Sequence, residues 1–308
     1  MPSSIATSPR PVSQPATLEL HSALRESVVV AIDGGPAGMA ALRWLAQRSA
    51  EKLLRVELIT VIERHWIEMY GDGLLHSADE TLEDCASYLA DLAPNIDISS
   101  RISWGVAREE IALAAVAADL LVVGTNRTHA LPRALGGSLP MRVVESVHCP
   151  VVIVPEDWTP IPGDIVIGVQ GDESDEEALR FAADACLASS RPLRIVHAWD
   201  LPLWLDRGTT VARDVSTAVA HAQRVLRATE ATMLALFPEV EVTSRADRGD
   251  AAEVLERHAV GAALLVVGTH GSTVLDRFFV GSVSRALLTR PTRPIAIIRP
   301  RVHTGPSL

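Results

Sequence analysis

The sequence predicts an α/β protein built from two tandem doubly wound domains, each a five-stranded parallel sheet with helices on both faces. Three observations predict it. Apolar runs of strand length alternate with helical patterns from Val28 to Ile298, as in chains of βαβ units. Runs such as VVVAI at 28–32 and LLVVG at 120–124 are apolar throughout, which marks strands buried on both faces. Finally, the chain contains one long internal repeat.

The repeat is read from two constant offsets. Ser27–Leu45 aligns with Asp164–Ala182, so that Ile32-Asp33-Gly34 faces Val169-Gln170-Gly171 and Leu42-Arg43 faces Leu179-Arg180. Downstream, Leu121–Thr125 aligns with Leu265–Thr269, Gly137-Ser138 with Gly281-Ser282, and Pro150-Val151 with Pro294-Ile295. The second offset exceeds the first by seven residues, which places one insertion between the second and third strands of copy two. The Pro-rich stretch Pro155–Pro162, containing Trp158, separates the copies. The expected organisation is a disordered leader over 1–25, a first domain over 26–157 and a second over 158–302.

In copy one, strands are expected near Val28–Ile32, Val56–Ile62, Ile96–Ser103, Leu120–Gly124 and Val151–Val154, with helices near Gly38–Lys52, Ala78–Leu92, Ala107–Ala117 and Ser138–Val147. In copy two, strands are expected near Ile165–Val169, Leu193–Trp199, Val240–Ala246, Leu264–Gly268 and Ile295–Ile298, with helices near Ser174–Ser189, Val211–Leu236, Ala251–Val260 and Ser282–Thr289.

Composition bounds the function. The 308 residues are 48% hydrophobic and 21% charged, enough for two real cores. A net charge of −10 argues against nonspecific nucleic-acid binding, which needs Lys and Arg to neutralise phosphates. The leader, rich in Pro and Ser, lacks the apolar core of a signal peptide. No apolar run reaches the ~18 residues of a spanning helix; the longest candidate, from Ile111, is broken by Asp119. Cys85, Cys149 and Cys186 fit no metal spacing and read as packed free thiols, which suits a reducing, cytoplasmic setting.

Ligands of open parallel sheets bind beyond the carboxyl ends of the strands, where strand order reverses. In copy two the fourth strand runs into Gly268-Thr269-His270-Gly271, and after nine intervening residues Gly281-Ser282 opens a helix. A backbone that wraps a polyphosphate must approach it without a Cβ, and the free N–H groups of the helix favour an anion. Three glycines and a serine at this junction favour phosphate binding over plain turns. Ser282 either donates to a phosphate or caps the helix.

This G-x2-G-x9-G-S pattern after an LLVVG strand resembles the universal stress protein family, and the resemblance covers about Ser27 to Pro300 as a tandem pair. It implies a Rossmann-like strand order 3-2-1-4-5 in each copy. It also implies ATP or a related adenine nucleotide as a regulatory ligand, with magnesium as a possible companion. By that likeness Gly268, Thr269, Gly271, Gly281, Ser282 and Val283 hold phosphates and ribose. Gln170 and Ala198 in copy two, and Asp33 and Val61 in copy one, lie where the base is held. Gly124, Gly137 and Ser138 are the copy-one loop residues that match. Members of the family often pair their last strands across a two-fold axis. Here Val151–Val154 and Ile295–Ile298 are expected to pair within the chain as a pseudo-dimer, leaving a homodimer open.

Each copy departs from the pattern once. Copy two has Gln170 where the family carries Asp, and an amide cannot repeat the charge-assisted bonds of a carboxylate. Copy one keeps Asp33 but has Arg127 in place of the second loop glycine. Either its side chain blocks close approach or its guanidinium reaches a phosphate, and the steric requirement favours a weakened site. The Gly34–Gly38 segment reads as a turn into a helix. His129 and His270 read as solvated loop residues, and His65 and His197 as ordinary. Trp66 and Trp204 are expected in packing, while Arg277 and Asp276 are weak phosphate and metal candidates. The acidic run Asp172–Glu177 is explained by a helix cap and first turn. No serine has an evident base and no GxSxG elbow occurs. The expectation is therefore a nucleotide-binding regulator with at most slow hydrolysis. An interaction module without nucleotide and an ATP-consuming transferase are the alternatives.

Overall fold

The computed structural model describes residues 25–63, 72–126, 139–201, 211–269 and 281–299. The expected leader and the residues Arg127, Gly137, Ser138, Gly271, Asp276 and Arg277 lie outside them, as do His65, Trp66, His129, Trp204 and His270.

Copy one runs β1 (Glu26–Ala31), α1 (Pro36–Ser49), β2 (Leu54–Ile62), α2 (Asp72–Leu92), β3 (Asp97–Trp104), α3 (Ala107–Ala114), β4 (Leu120–Thr125), α4 (Leu139–Ser146) and β5 (Val151–Pro155). Copy two runs β6 (Ile165–Gly168), α5 (Glu176–Ser189), β7 (Leu193–Trp199), α6 (Val211–Leu236), β8 (Val242–Arg248), α7 (Ala251–His258), β9 (Leu264–Gly268), α8 (Ser282–Thr289) and β10 (Ile295–Ile298). The chain is thus the tandem α/β pair that the repeat predicts.

All strands join one ten-stranded sheet in the order β3-β2-β1-β4-β5-β10-β9-β6-β7-β8. Each half reads 3-2-1-4-5, with the reversal between its first and fourth strands. Pairing is parallel within each half, and β5 meets β10 antiparallel through Ile295↔Ile153, Ala296↔Val152 and Ile297↔Val151. The expected pairing of the last strands within the chain is therefore present. It turns the carboxyl ends of the two half-sheets in opposite directions.

The apolar runs explain the layering. Every residue of β5 and β10 is buried, so both sheet faces are covered there. Leu42 and Leu45 of α1, Leu89 of α2, Ala182 of α5 and Met233 of α6 share the core on one face. Ile111 of α3, Val143 of α4, Val254 of α7 and Leu287 of α8 share the core on the other. The described residues contain no helix long and apolar enough to cross a membrane. Cys85 and Cys186 are buried free thiols and Cys149 is half-buried. Burial pushes the Cys149 thiol up to about 11 and the Cys186 thiol up to about 12, which keeps both in the unreactive form.

Two buried cations, Arg299 and Arg48, also reach between the copies; Arg299 is 7% exposed and donates from Nη2 to the Val144 carbonyl at 2.8 Å. Arg48 is 6% exposed and donates from Nε and Nη2 to the two carboxylate oxygens of Glu26, each at 2.7 Å. Its guanidinium carbon lies 5.6 Å from the ring centre of Trp44 and 5.8 Å from that of Phe181, which are repeat mates on α1 and α5. Burial would raise the Glu26 carboxyl, but hydrogen bonds and charge from Arg48, aided by Lys52, hold it below its ordinary value. Across the other sheet face, Arg285 of α8 pairs with Glu145 of α4 at 2.6 Å.

Element boundaries differ from expectation in places. Helix α2 starts six residues earlier than Ala78, because Gly73, exposed in its first turn, costs only about 1 kcal/mol there. Helix α1 starts at Pro36, whose fixed φ suits a first helical position. Strand β8 begins at Val242 and not Val240, since Phe237 receives the Val240 N–H in a turn.

Candidate functional site

The site is best built from the exit of β6 outward. In both copies the first strand ends in a turn with a left-handed glycine, Gly34 (φ +73°) in copy one and Gly171 (φ +93°) in copy two. A Cβ on Gly34 would lie 2.7 Å from Thr81, and one on Gly171 would lie 2.5 Å from Val225. These glycines are needed for φ and for packing, independently of any ligand. The acidic run beyond Gly171 caps a short 3-10 turn, Glu173–Asp175, ahead of α5: Asp172 accepts from the Ser174 N–H at 2.9 Å, and Asp175 at the N-cap of α5 makes no side-chain cap bond.

Beyond β6 a cavity of about 750 Å³ opens at the carboxyl ends of β6, β7 and β9. It is large enough for a nucleotide-sized molecule. Gln170, Ala198, Gly268, Gly281, Ser282 and Val283 all line it. Six of the seven copy-two site residues that the structure describes are thus brought together. The seventh, Thr269, lies behind the lining: it is 4% exposed and gives its N–H to the Ile298 carbonyl at 2.8 Å.

The two ends of the cavity differ chemically. At one end, Gly281 is the N-cap of α8 and no acidic residue occupies the first turn of that helix. The first N–H groups of α8 have no intrahelical acceptor, and with the helix dipole they favour an anion. A Cβ on Gly281 would meet nothing within 4 Å among the described residues. The other end is mostly apolar, with Val169, Val196, Ala198, Trp199 and Leu255. There β7 runs on to Trp199 after its last pairing with β6, Gly168↔Val196. Val169 N–H bonds the Val196 carbonyl. By the two-residue period of a strand, the N–H and C=O of Ala198 point to the same side, into the space that β6 vacates.

His197 was read from sequence as ordinary, yet it also lines this end. It is 7% exposed and its Nδ1 lies 3.0 Å from the Val169 carbonyl. A carbonyl only accepts, so Nδ1 carries the proton and donates. Asp200 stands at the rim, and the Arg248 hydrogen bond and then the Leu201 N–H hold its carboxyl below the ordinary value. No Lys or Arg appears among the described lining residues, so in them backbone N–H groups are what faces an anion. No group of three or more His, Cys, Asp or Glu with metal-binding geometry occurs among the described residues.

Copy one has a corresponding space lined by Asp33, Val61 and Gly124, but its volume is about 110 Å³. A Cβ on Gly124 would lie 2.1 Å from the Ala37 carbonyl oxygen. Helix α1 therefore sits directly on the end of β4. In copy two a Cβ on Gly268 would lie 3.4 Å from the Ser174 carbonyl oxygen, an ordinary contact.

Comparison with known proteins agrees with this architecture. The profile of the Universal stress protein family matches residues 25–155 and again 163–299. A universal stress protein of Mycolicibacterium smegmatis is 28% identical over 306 residues, covering 92% of this chain and 100% of the relative. Universal stress protein Rv2623 of Mycobacterium tuberculosis is 26% identical over 294 residues, covering 88% and 96%. The crystal structure of a universal stress protein from Archaeoglobus fulgidus superposes with a TM-score of 0.68 at 17% identity, over 89% of this chain and 96% of that one. That likeness concerns the fold.

Proposed function

Because this chain belongs to the universal stress protein family, we propose that it is a stress-response regulator that binds ATP or a related adenine nucleotide in copy two. The single observation that carries the reading is the 750 Å³ cavity with the N-terminus of α8 at one end and an apolar strand exit at the other. A triphosphate fits the helix end. A base fits the apolar end, where the Ala198 backbone offers one donor and one acceptor and Gln170 an adaptable amide. Gly281 and Ser282 hold phosphate, with Val283 adding an N–H, and Gly268 allows close approach. Gly271 belongs to the same loop. Magnesium enters on the phosphates of the nucleotide, since the described residues offer no cluster to hold it alone. Among the described residues no base is poised on a nucleophile, which favours occupancy over turnover as the output. The working place is the cytoplasm, where free thiols persist.

Copy one keeps the fold and serves as the partner half of the sheet, because the space at its strand ends is only about 110 Å³. Equilibrium titration with ATP tests both statements. One nucleotide per chain is expected, and Gly281→Ala should weaken it about tenfold or more. Among the described residues the added methyl meets open space, so stability should fall only by about 1 kcal/mol, as for Ala at an N-cap. Unchanged affinity in this variant rules out the α8 end as the phosphate site.

A further inference from the structure

The exit of the first strand is tied to the second strand in the same way in both copies. In copy two the Val169 N–H bonds the Val196 carbonyl, and the Val169 carbonyl accepts from His197 Nδ1 at 3.0 Å. The repeat mates of Val169, Val196 and His197 are Ile32, Ile59 and Thr60. In copy one the Ile32 N–H bonds the Ile59 carbonyl, and the Ile32 carbonyl accepts from Thr60 Oγ1 at 2.9 Å. One bond is therefore made by a hydroxyl in the copy with the small space and by an imidazole in the copy with the large one. Tying the strands needs no more than the hydroxyl. The imidazole carries a second nitrogen. His197 is 7% exposed and lines the cavity, and among the described residues its Nε2 has no hydrogen-bond partner. The Val169 carbonyl fixes the proton on Nδ1, so Nε2 of the neutral ring is an acceptor held in one orientation. A nearly buried acceptor left unpaired costs free energy, which a donor on a ligand recovers.

We infer that His197 is a specificity-determining residue whose Nε2 accepts from the exocyclic amino group of the base, and so selects adenine over a purine with a carbonyl oxygen at that position. The inference rests on the nucleotide reading above and deepens it. A carbonyl oxygen there sets acceptor against acceptor, and a site built for a donor rejects such an analogue. Asp172 and Asp200 also line the cavity, but both are exposed. Asp172 already accepts from Ser174 and Asp200 from Arg248 and Leu201.

Three probes test it: ATP, inosine triphosphate and inorganic tripolyphosphate. The native chain should bind ATP about tenfold or more tighter than inosine triphosphate. His197→Thr copies the residue of copy one, and His197→Asn keeps a donor where Nδ1 stands. Both retain the bond to the Val169 carbonyl and lack Nε2. Each should lower the preference for ATP about tenfold, through weaker ATP, and leave tripolyphosphate unchanged. In the ligand-free native protein, nitrogen-15 spectra of the ring should show the proton on Nδ1 and none on Nε2. A ring that only braces the strands predicts the native preference in both variants, and that result overturns the inference. Equal loss of ATP and tripolyphosphate, or a proton on Nε2, overturns it as well. If the native chain binds ATP and inosine triphosphate equally, this inference falls and the nucleotide reading stands. If it binds neither, both fall.

Discussion

In copy one the fourth strand ends under helix α1, with the Ala37 carbonyl oxygen 2.1 Å from where a Gly124 methyl group would stand. In copy two the equivalent approach to Gly268 is 3.4 Å, and the space beyond the strands grows from about 110 to about 750 Å³. The same glycine is therefore kept for two reasons. Gly124 lets a helix sit on a strand, whereas Gly268 leaves a floor under an open cavity. A shared residue in a repeat does not imply a shared duty. The described space at the strand ends is thus small in one half of the chain and large in the other.

The largest effect should come from breaking that contrast directly. Gly124→Ala forces α1 off β4 and should cost more than about 3 kcal/mol in chemical denaturation. Gly268→Ala should cost less than about 1 kcal/mol, since its methyl group makes ordinary contacts. Equal costs would mean that the two helices sit at equal distances in solution.

The clamp between copies is just as one-sided. Arg48 stands between Trp44 and Phe181, and its repeat mate in copy two is Ala185. Arg48→Ala strands the buried Glu26 carboxylate and should cost about 3 kcal/mol, whereas Ala185→Gly should cost about 1 kcal/mol as a helix substitution. A smaller effect follows with pH. The folded Glu26 carboxyl is held below its ordinary value of 4.5, so its contribution is complete above that pH and is lost as pH falls through the lowered folded value. Glu26→Gln should flatten the acid limb of stability below about pH 4.5. An acid limb unchanged in that variant would remove Glu26 from the account.

Much of this fold was legible along the chain. Strands β7, β9 and β10 and helices α6 and α8 begin and end where periodicity places them, because unbroken apolar runs and caps are local signals. The glycines and serine at the α8 junction were legible for the same reason, whereas the strand order that locates the cavity came from the family resemblance. Thr269 was not separable from its neighbours, since a strand-end residue faces cavity or core depending on which strand lies beside it. The bonds from the Gln170 and Gly171 N–H groups to Asp175 were hidden as well. Read locally, the acidic run containing Asp175 is accounted for by a helix cap and first turn, and nothing in it points back to β6.

The sequence by itself determined that there are two copies, which strands are buried on both faces, and where a glycine and serine open α8. These follow from short-range patterns whose physics is burial and backbone geometry within a few residues. Only the tertiary structure decided which copy is open, that Arg48 joins the copies, and that Asp175 closes the turn at Gln170. Those outcomes depend on tenths of an ångström between segments far apart in the chain, such as Ala37 against Gly124, and close packing in the interior makes such distances decisive.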